Sequence, residues 1–130
     1  KQQSKMSANL RKKLLFFMSN SHPVSQFSQQ LPTLSRFEHK FSTDLDEIKA
    51  WDHYGNIDGI ISQPIGAKQA FPTILSENRS IQWVHSLMAG VDAILVPELV
   101  KSDIIVTNAK GAYSEGLSEF TMSAILSYYK

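Results

Sequence analysis

The chain predicts an α/β domain built on a parallel sheet, and three observations carry that expectation. Short apolar segments alternate along its length with segments of helical periodicity, the order produced by strands joined through covering helices. The first apolar run, Leu14 to Met18, is nearly continuous, as in a strand buried on both faces. No internal repeat interrupts the alternation, and 130 residues suit one domain.

After Leu14–Met18, the run Ser19-Asn20-Ser21-His22-Pro23 supplies a turn and a helix start, Pro23 being tolerated in a first helical turn. Val24, Phe27 and Leu31 fall at i, i+3 and i+7, one apolar stripe. Pro32 ends or bends that helix. Phe37 to Phe41 alternates apolar and polar residues, which predicts a second strand at a sheet edge. Asp44 to Trp51 predicts a short helix with Leu45, Ile48 and Trp51 on one side and acids in its first turn. Beyond the Tyr54-Gly55-Asn56 turn, Ile57 to Ile61 is a third strand, and Gly59 within it suggests close approach of a neighbouring backbone.

A loop over Ser62–Gly66 follows, then a helix over Ala70–Ser76 despite Pro72 near its start. Ile81–His85 is the fourth strand. Val91–Leu95 opens a short helix, Pro97 begins another turn, and Ile104–Thr107 is the fifth strand. Ser114 to Lys130 closes as a helix with Leu117, Phe120, Ile125 and Tyr128 on an apolar side. Glu115 and Glu119 stand in its opening turns, where carboxylates complement the helix dipole. Five such strands suit a flavodoxin-like three-layer domain with a parallel sheet of order 2-1-3-4-5. Sheets of this kind bind ligands beyond the carboxyl ends of their strands, near the switch in strand order.

The apolar share of 42% supports one modest core. No run of eighteen apolar residues occurs to span a membrane, and the formal charge of +1 gives no reason to expect nucleic acid. Cysteine is absent, which excludes disulfide and thiolate chemistry and fits a reducing, cytoplasmic setting. Six basic residues and no acidic one precede Glu38, whereas seven basic and twelve acidic residues occur from Glu38 onward. A basic, Ser-rich start is also what a transit peptide shows. Lys13–Met18, however, reads as a core strand that could not be removed. Residues 1–9 are therefore expected to be a disordered or vector-derived start, with Met6 as the native first residue and Lys1–Lys5 left over from an expression vector. Residues 10–113 form the domain, and 114–130 a helix leading out of it.

Two strand-to-turn junctions carry the functional expectation. Ile81 to Asp92 and Asp103 to Gly111 each run from an apolar strand into small and polar residues and a glycine, then a helical pattern. Backbone N–H groups at a helix start beyond a strand end can hold an anion. Met88, Ala89 and Gly90 are the candidate receptor for an organic acid, because small residues let the backbone approach a carboxylate. The competing reading is a plain turn in which Gly90 supplies an unusual dihedral angle. Ser62 and Gln63 lie at the same sheet end and join the candidate site. Asn108, beside Thr107, can pin a loop or face a ligand, and Lys110 and Tyr113 could add a charge or a hydroxyl. His22, His39, His53 and His85 sit on different elements with no i, i+4 pair, so no metal site is expected. His85 alone is placed to touch a ligand, and a scaffold role is the commoner outcome for such a residue. Trp51 and Trp83 read as core or interface residues.

The stretches WVHSLMAGVD (Trp83–Asp92) and IIVTNAKGAYSEGLSEF (Ile104–Phe120) resemble the substrate-binding domain of the NAD-dependent D-isomer-specific 2-hydroxyacid dehydrogenases. The relatives in question are glyoxylate/hydroxypyruvate reductases and phosphoglycerate dehydrogenases. The resemblance implies that main-chain amides of Met88-Ala89-Gly90 hold the substrate carboxylate. It also implies that Thr107, Asn108 and Lys110 lie at a hinge on the nicotinamide side of an interdomain cleft. Glu119 falls where the family shows an A/S-E pair, here with Ser118 in place of the commoner alanine, and packing is its implied role. NAD or NADP would serve the parent protein.

No G-x-G-x-x-G occurs in the chain, so the phosphate-cradling turn of a dinucleotide site is missing. The family's catalytic arginine, glutamate and histidine belong to a nucleotide domain inserted after the closing helix, so none is expected here. The implied picture is the amino-terminal part of a dehydrogenase, inactive alone. It would carry an apolar face for the NAD-binding domain and form homo-oligomers. The alternative is a non-enzymatic module that binds small acids on the same fold. A phosphotransfer receiver would need acids after strands one and three and a lysine ending strand five, where this chain has Ser19-Asn20, Ser62 and Thr107-Asn108. A flavodoxin would want a glycine in the loop after strand one, and Ser19–Pro23 has none.

Overall fold

Five parallel strands run in the order β2-β1-β3-β4-β5, as the alternation of segments predicts. They are β1 (Lys13–Phe17), β2 (Glu38–Phe41), β3 (Gly59–Ser62), β4 (Trp83–Ser86) and β5 (Ile105–Asn108). The helices are α1 (Pro23–Ser28), α2 (Leu45–Lys49), α3 (Ala67–Glu77), α4 (Pro97–Val100) and α5 (Ser114–Tyr128), with a 3-10 turn over Pro32–Arg36. This computed structural model describes residues 11–19, 21–28, 30 and 32–129. The expectation for residues 1–9 lies outside the described residues, as does the stripe formed by the side chains of Val24, Phe27 and Leu31.

Parallel register sorts the strand residues into rows. Leu15, Ile60, Val84 and Val106 are successive partners across the sheet, and the first three are fully buried. They pack with Ile48 of α2, Phe71 and Ile74 of α3 and Leu99 of α4 into one main cluster. The opposite face holds a smaller cluster of Phe16, Met18 and Phe41, with Leu34 of the 3-10 turn and Ile61 against it. Beside that cluster an open apolar groove of about 440 Å³ is lined by Leu14, Phe16, Leu34, Phe37, Ile61 and Trp83 among others. The row at the carboxyl end differs in chemistry: after Phe17 it reads Ser62, Ser86 and Asn108. Polar residues thus begin where the strands run out.

Several element boundaries depart from the sequence expectation. β1 starts one residue early and leaves Met18 outside it, while Ile57 is fully buried ahead of β3 rather than within it. α3 begins at Ala67, three residues before the predicted start, because Gly66 adopts a left-handed φ of 80° and turns the chain there. Ala67, Ala70, Phe71, Ile74 and Leu75 then form one buried stripe, and Pro72 sits inside the helix rather than near its start. Gly59 is closely approached, mainly by side chains. A Cβ there would lie 3.1 Å from Trp83 Cε3 and 3.2 Å from Leu14 Cδ2, with the Trp83 carbonyl at 3.4 Å.

The predicted helix over Val91–Leu95 is absent. Only one turn forms, with Ile94 and Leu95 N–H donating to the Val91 carbonyl at 2.9 and 3.1 Å. Val96 precedes Pro97 and is held extended at φ −105° and ψ 158°, since the proline ring disfavours helical geometry in the residue before it. The helix begins instead at Pro97 as α4, where a turn was expected.

Candidate functional site

The segment Leu87–Gly90 leaves the carboxyl end of β4 and is held by both neighbouring strands. Leu87 N–H donates to the Ser62 carbonyl at 2.9 Å, which continues the β3–β4 ladder by one bond. Ser86 Oγ accepts from Met88 N–H at 3.2 Å and donates to the Gly90 carbonyl at 3.2 Å, closing the bend on itself. A short hydroxyl residue at a strand end readily makes such local bonds. Ser86 is nonetheless absent from the sequence-derived site. Its signal was available, a serine ending the strand four residues before Gly90.

The loop after β5 supplies the other side. Tyr113 Oη donates to the Leu87 carbonyl at 3.2 Å, Ala109 N–H to the Met88 carbonyl at 3.1 Å, and Asn108 Nδ2 to the Ala89 carbonyl at 2.6 Å. Asn108 Oδ1 in turn accepts from Lys110 N–H at 3.3 Å. The two junctions singled out in the sequence therefore meet, through three carbonyl acceptors in a row. Ala89 and Gly90 N–H make no hydrogen bond among the described residues, and Met88, Ala89 and Gly90 are all exposed.

Gly90 does not supply an unusual dihedral: positive φ among the described glycines occurs only at Gly55, Gly66 and Gly111. A Cβ on Gly90 would meet nothing closer than Asp92 Oδ2 at 3.9 Å. The fold's own geometry thus gives no reason for glycine at this position. With no helix at Val91–Leu95, the amides also lack the helix dipole that the sequence suggested behind them. Charge near the bend is mixed. The Asp92 carboxylate lies beside Gly90, while exposed Lys110 makes no ion pair among the described residues.

The remaining candidates are placed as follows. Ser62 is fully buried and its hydroxyl donates to the Gln63 carbonyl at 2.6 Å, so it offers the site its backbone rather than its side chain. Gln63 is half-buried, and its N–H donates to the Phe17 carbonyl at 3.1 Å. Thr107 Oγ1 accepts from Trp83 Nε1 at 2.8 Å and pairs with His85 Nδ1 at 2.8 Å. These three lie on the sheet face opposite α3. The perturbed ionisable groups lie at the amino end instead. Burial pushes Asp58 upward, but the Lys13 amide, the Lys12 ammonium and both lysine charges outweigh it and hold the carboxyl below its ordinary value. The Tyr54 hydroxyl and Lys49 ammonium lower Glu77, while burial and then Glu77 raise the Tyr54 phenol.

Ala89 and Gly90 thus stand exposed at the carboxyl end of an α/β sheet, with N–H groups that make no hydrogen bond among the described residues. Among solved structures, the chain is similar to a D-isomer specific 2-hydroxyacid dehydrogenase family protein from Aeromonas salmonicida subsp. salmonicida A449. The TM-score is 0.61 at 20% identity over 91% of this chain and 36% of that one. It is also similar to a glyoxylate reductase from Paecilomyes thermophila, with a TM-score of 0.54 at 17% identity over 76% of this chain and 32% of that one. At these identities the likeness is one of fold, and the chain spans about a third of the length of either structure. No family model and no curated protein matches the sequence.

Proposed function

We propose that the chain is the substrate-binding part of an NAD(P)-dependent oxidoreductase that interconverts a 2-oxo acid and a D-2-hydroxy acid. One observation carries this: Ala89 and Gly90, exposed residues at the carboxyl end of the sheet, leave their N–H groups without a hydrogen bond among the described residues. The substrate carboxylate accepts from these two amides, and the absence of a Cβ at Gly90 leaves it room. Lys110 adds a positive charge on the neighbouring loop. The likeness in fold to two structures of this enzyme class supports the same assignment.

The nicotinamide cofactor, when bound to the parent protein, supplies hydride exchange with C2 of the acid. The residues of this chain do not fit a dinucleotide, because no glycine-rich phosphate turn is among them. Their part is to hold and orient the acid, with the nucleotide carried by a second domain. The 130 residues alone should leave NADH absorbance unchanged in the presence of glyoxylate.

Titration of the isotope-labelled chain with pyruvate tests the site directly. The Ala89 and Gly90 amide signals should move saturably and further than any others. Unmoved signals at both residues, or equal movement with sodium chloride at the same concentration, would remove the basis for the assignment.

A further inference from the structure

We infer that Asn108 is a positioning residue whose side-chain amide aims the Gly90 N–H at the bound acid. The inference rests on the acid-binding reading above and adds the element that sets its geometry. In a planar trans peptide the C=O and N–H point in opposite directions. Whatever holds the carbonyl of one residue therefore aims the N–H of the next.

Three consecutive peptides show the consequence. The Leu87 carbonyl is taken by Tyr113, and the N–H on the same peptide, Met88, turns inward onto Ser86 Oγ. The Met88 carbonyl is taken by Ala109 N–H, and Ala89 N–H on that peptide is left open. The Ala89 carbonyl is taken by Asn108 Nδ2, and Gly90 N–H on that peptide is left open. One open donor is thus braced by backbone and the other by a side chain.

Asn108 is itself fixed. Its Oδ1 accepts from Lys110 N–H while its Nδ2 donates to Ala89, so rotating the amide by half a turn would face donor to donor and acceptor to acceptor. A carbonyl that accepts a hydrogen bond also polarises its peptide, which strengthens the opposite N–H as a donor. Asn108 therefore both points and sharpens the Gly90 amide without touching the acid.

The test compares the wild-type chain with Asn108→Ala and Tyr113→Phe. It reads the pyruvate dissociation constant and, without pyruvate, the residual dipolar couplings of the Ala89 and Gly90 N–H vectors. Asn108→Ala should weaken pyruvate binding roughly threefold to tenfold, the range for loss of one neutral hydrogen bond. It should also change the Gly90 coupling more than the Ala89 coupling. Tyr113→Phe should weaken binding less, because the amide it governs is already turned inward. If Asn108→Ala fails to fold, Asn108→Ser is read in its place, since it keeps an acceptor for Lys110 N–H. Unchanged affinity together with an unchanged Gly90 coupling would overturn the role of Asn108. A wild-type chain that ignores pyruvate, yet whose Gly90 coupling shifts in Asn108→Ala, would overturn the acid-binding reading and leave the aiming geometry standing.

Discussion

At Gly90 a methyl group would touch only Asp92 Oδ2, at ordinary van der Waals distance, and the backbone needs no left-handed angle. Gly90→Ala should therefore leave stability within about 0.5 kcal/mol, as for exposed substitutions that disturb nothing. It should still weaken pyruvate binding, because the methyl occupies the approach to the amide. Urea unfolding and an amide-signal titration on the same sample separate the two effects. A loss of stability with binding intact would mean that glycine serves the fold. Gly59 is the contrasting case: its added carbon would press on Trp83 and Leu14 at 3.1 and 3.2 Å, so the requirement there is packing. The sequence marks both positions with the same letter, and only the neighbours distinguish them.

Among the elements, the starts of β1 and β3 are fastened by Asp58. Its carboxylate accepts from Lys13 N–H at 2.8 Å and from Lys12 Nζ at 3.0 Å. Because the folded chain holds this carboxyl below the ordinary 3.8, both states are ionised above that pH and the fastening is complete. As pH falls below it, the unfolded chain takes up the proton first, so stability declines until the folded group is protonated as well. The urea midpoint should fall across that acid range, and less so in Asp58→Asn. Equal slopes in the two proteins would show that other carboxylates govern acid sensitivity.

The positions of the elements were legible at this scale because apolar runs such as Leu14–Met18 and the helical stripe at Leu45 and Ile48 are set by local periodicity, and the strand order followed from the fold class they imply. The turn at Val91–Leu95 was not, because its apolar spacing imitates a helix, while Val96, held extended before Pro97, stops any continuation beyond one turn. The bend that forms the candidate site was legible only in part. Small residues at 89 and 90 marked the bend, but the bracing of its carbonyls by Ala109 and Asn108 depends on the pairing of β4 with β5.

For the molecule as a whole, α5 stands apart from the core. None of its residues is buried, and Leu117, Phe120, Met122, Ile125, Leu126 and Tyr128 expose between 45% and 85% of their surface. Fifteen residues are marginal as an unsupported helix in water, and an apolar surface of this kind ordinarily meets a partner. In the proposed enzyme that partner is the nucleotide domain. A second copy is the expected occupant in the chain alone, so sedimentation velocity should show association that grows with concentration and is lost in Phe120→Glu. A single monomeric species across the accessible range would count against it.

Ile105, 64% exposed, opens one of the two edge strands, and Asn108 closes it. The brace on the 87–90 bend therefore hangs from an edge ladder, while Leu15, Ile60 and Val84 lie sealed further in. Warming would peel that border strand while the interior is still intact. Binding at the proposed site would then fail before melting begins, leaving a molecule still folded but no longer able to hold an acid there.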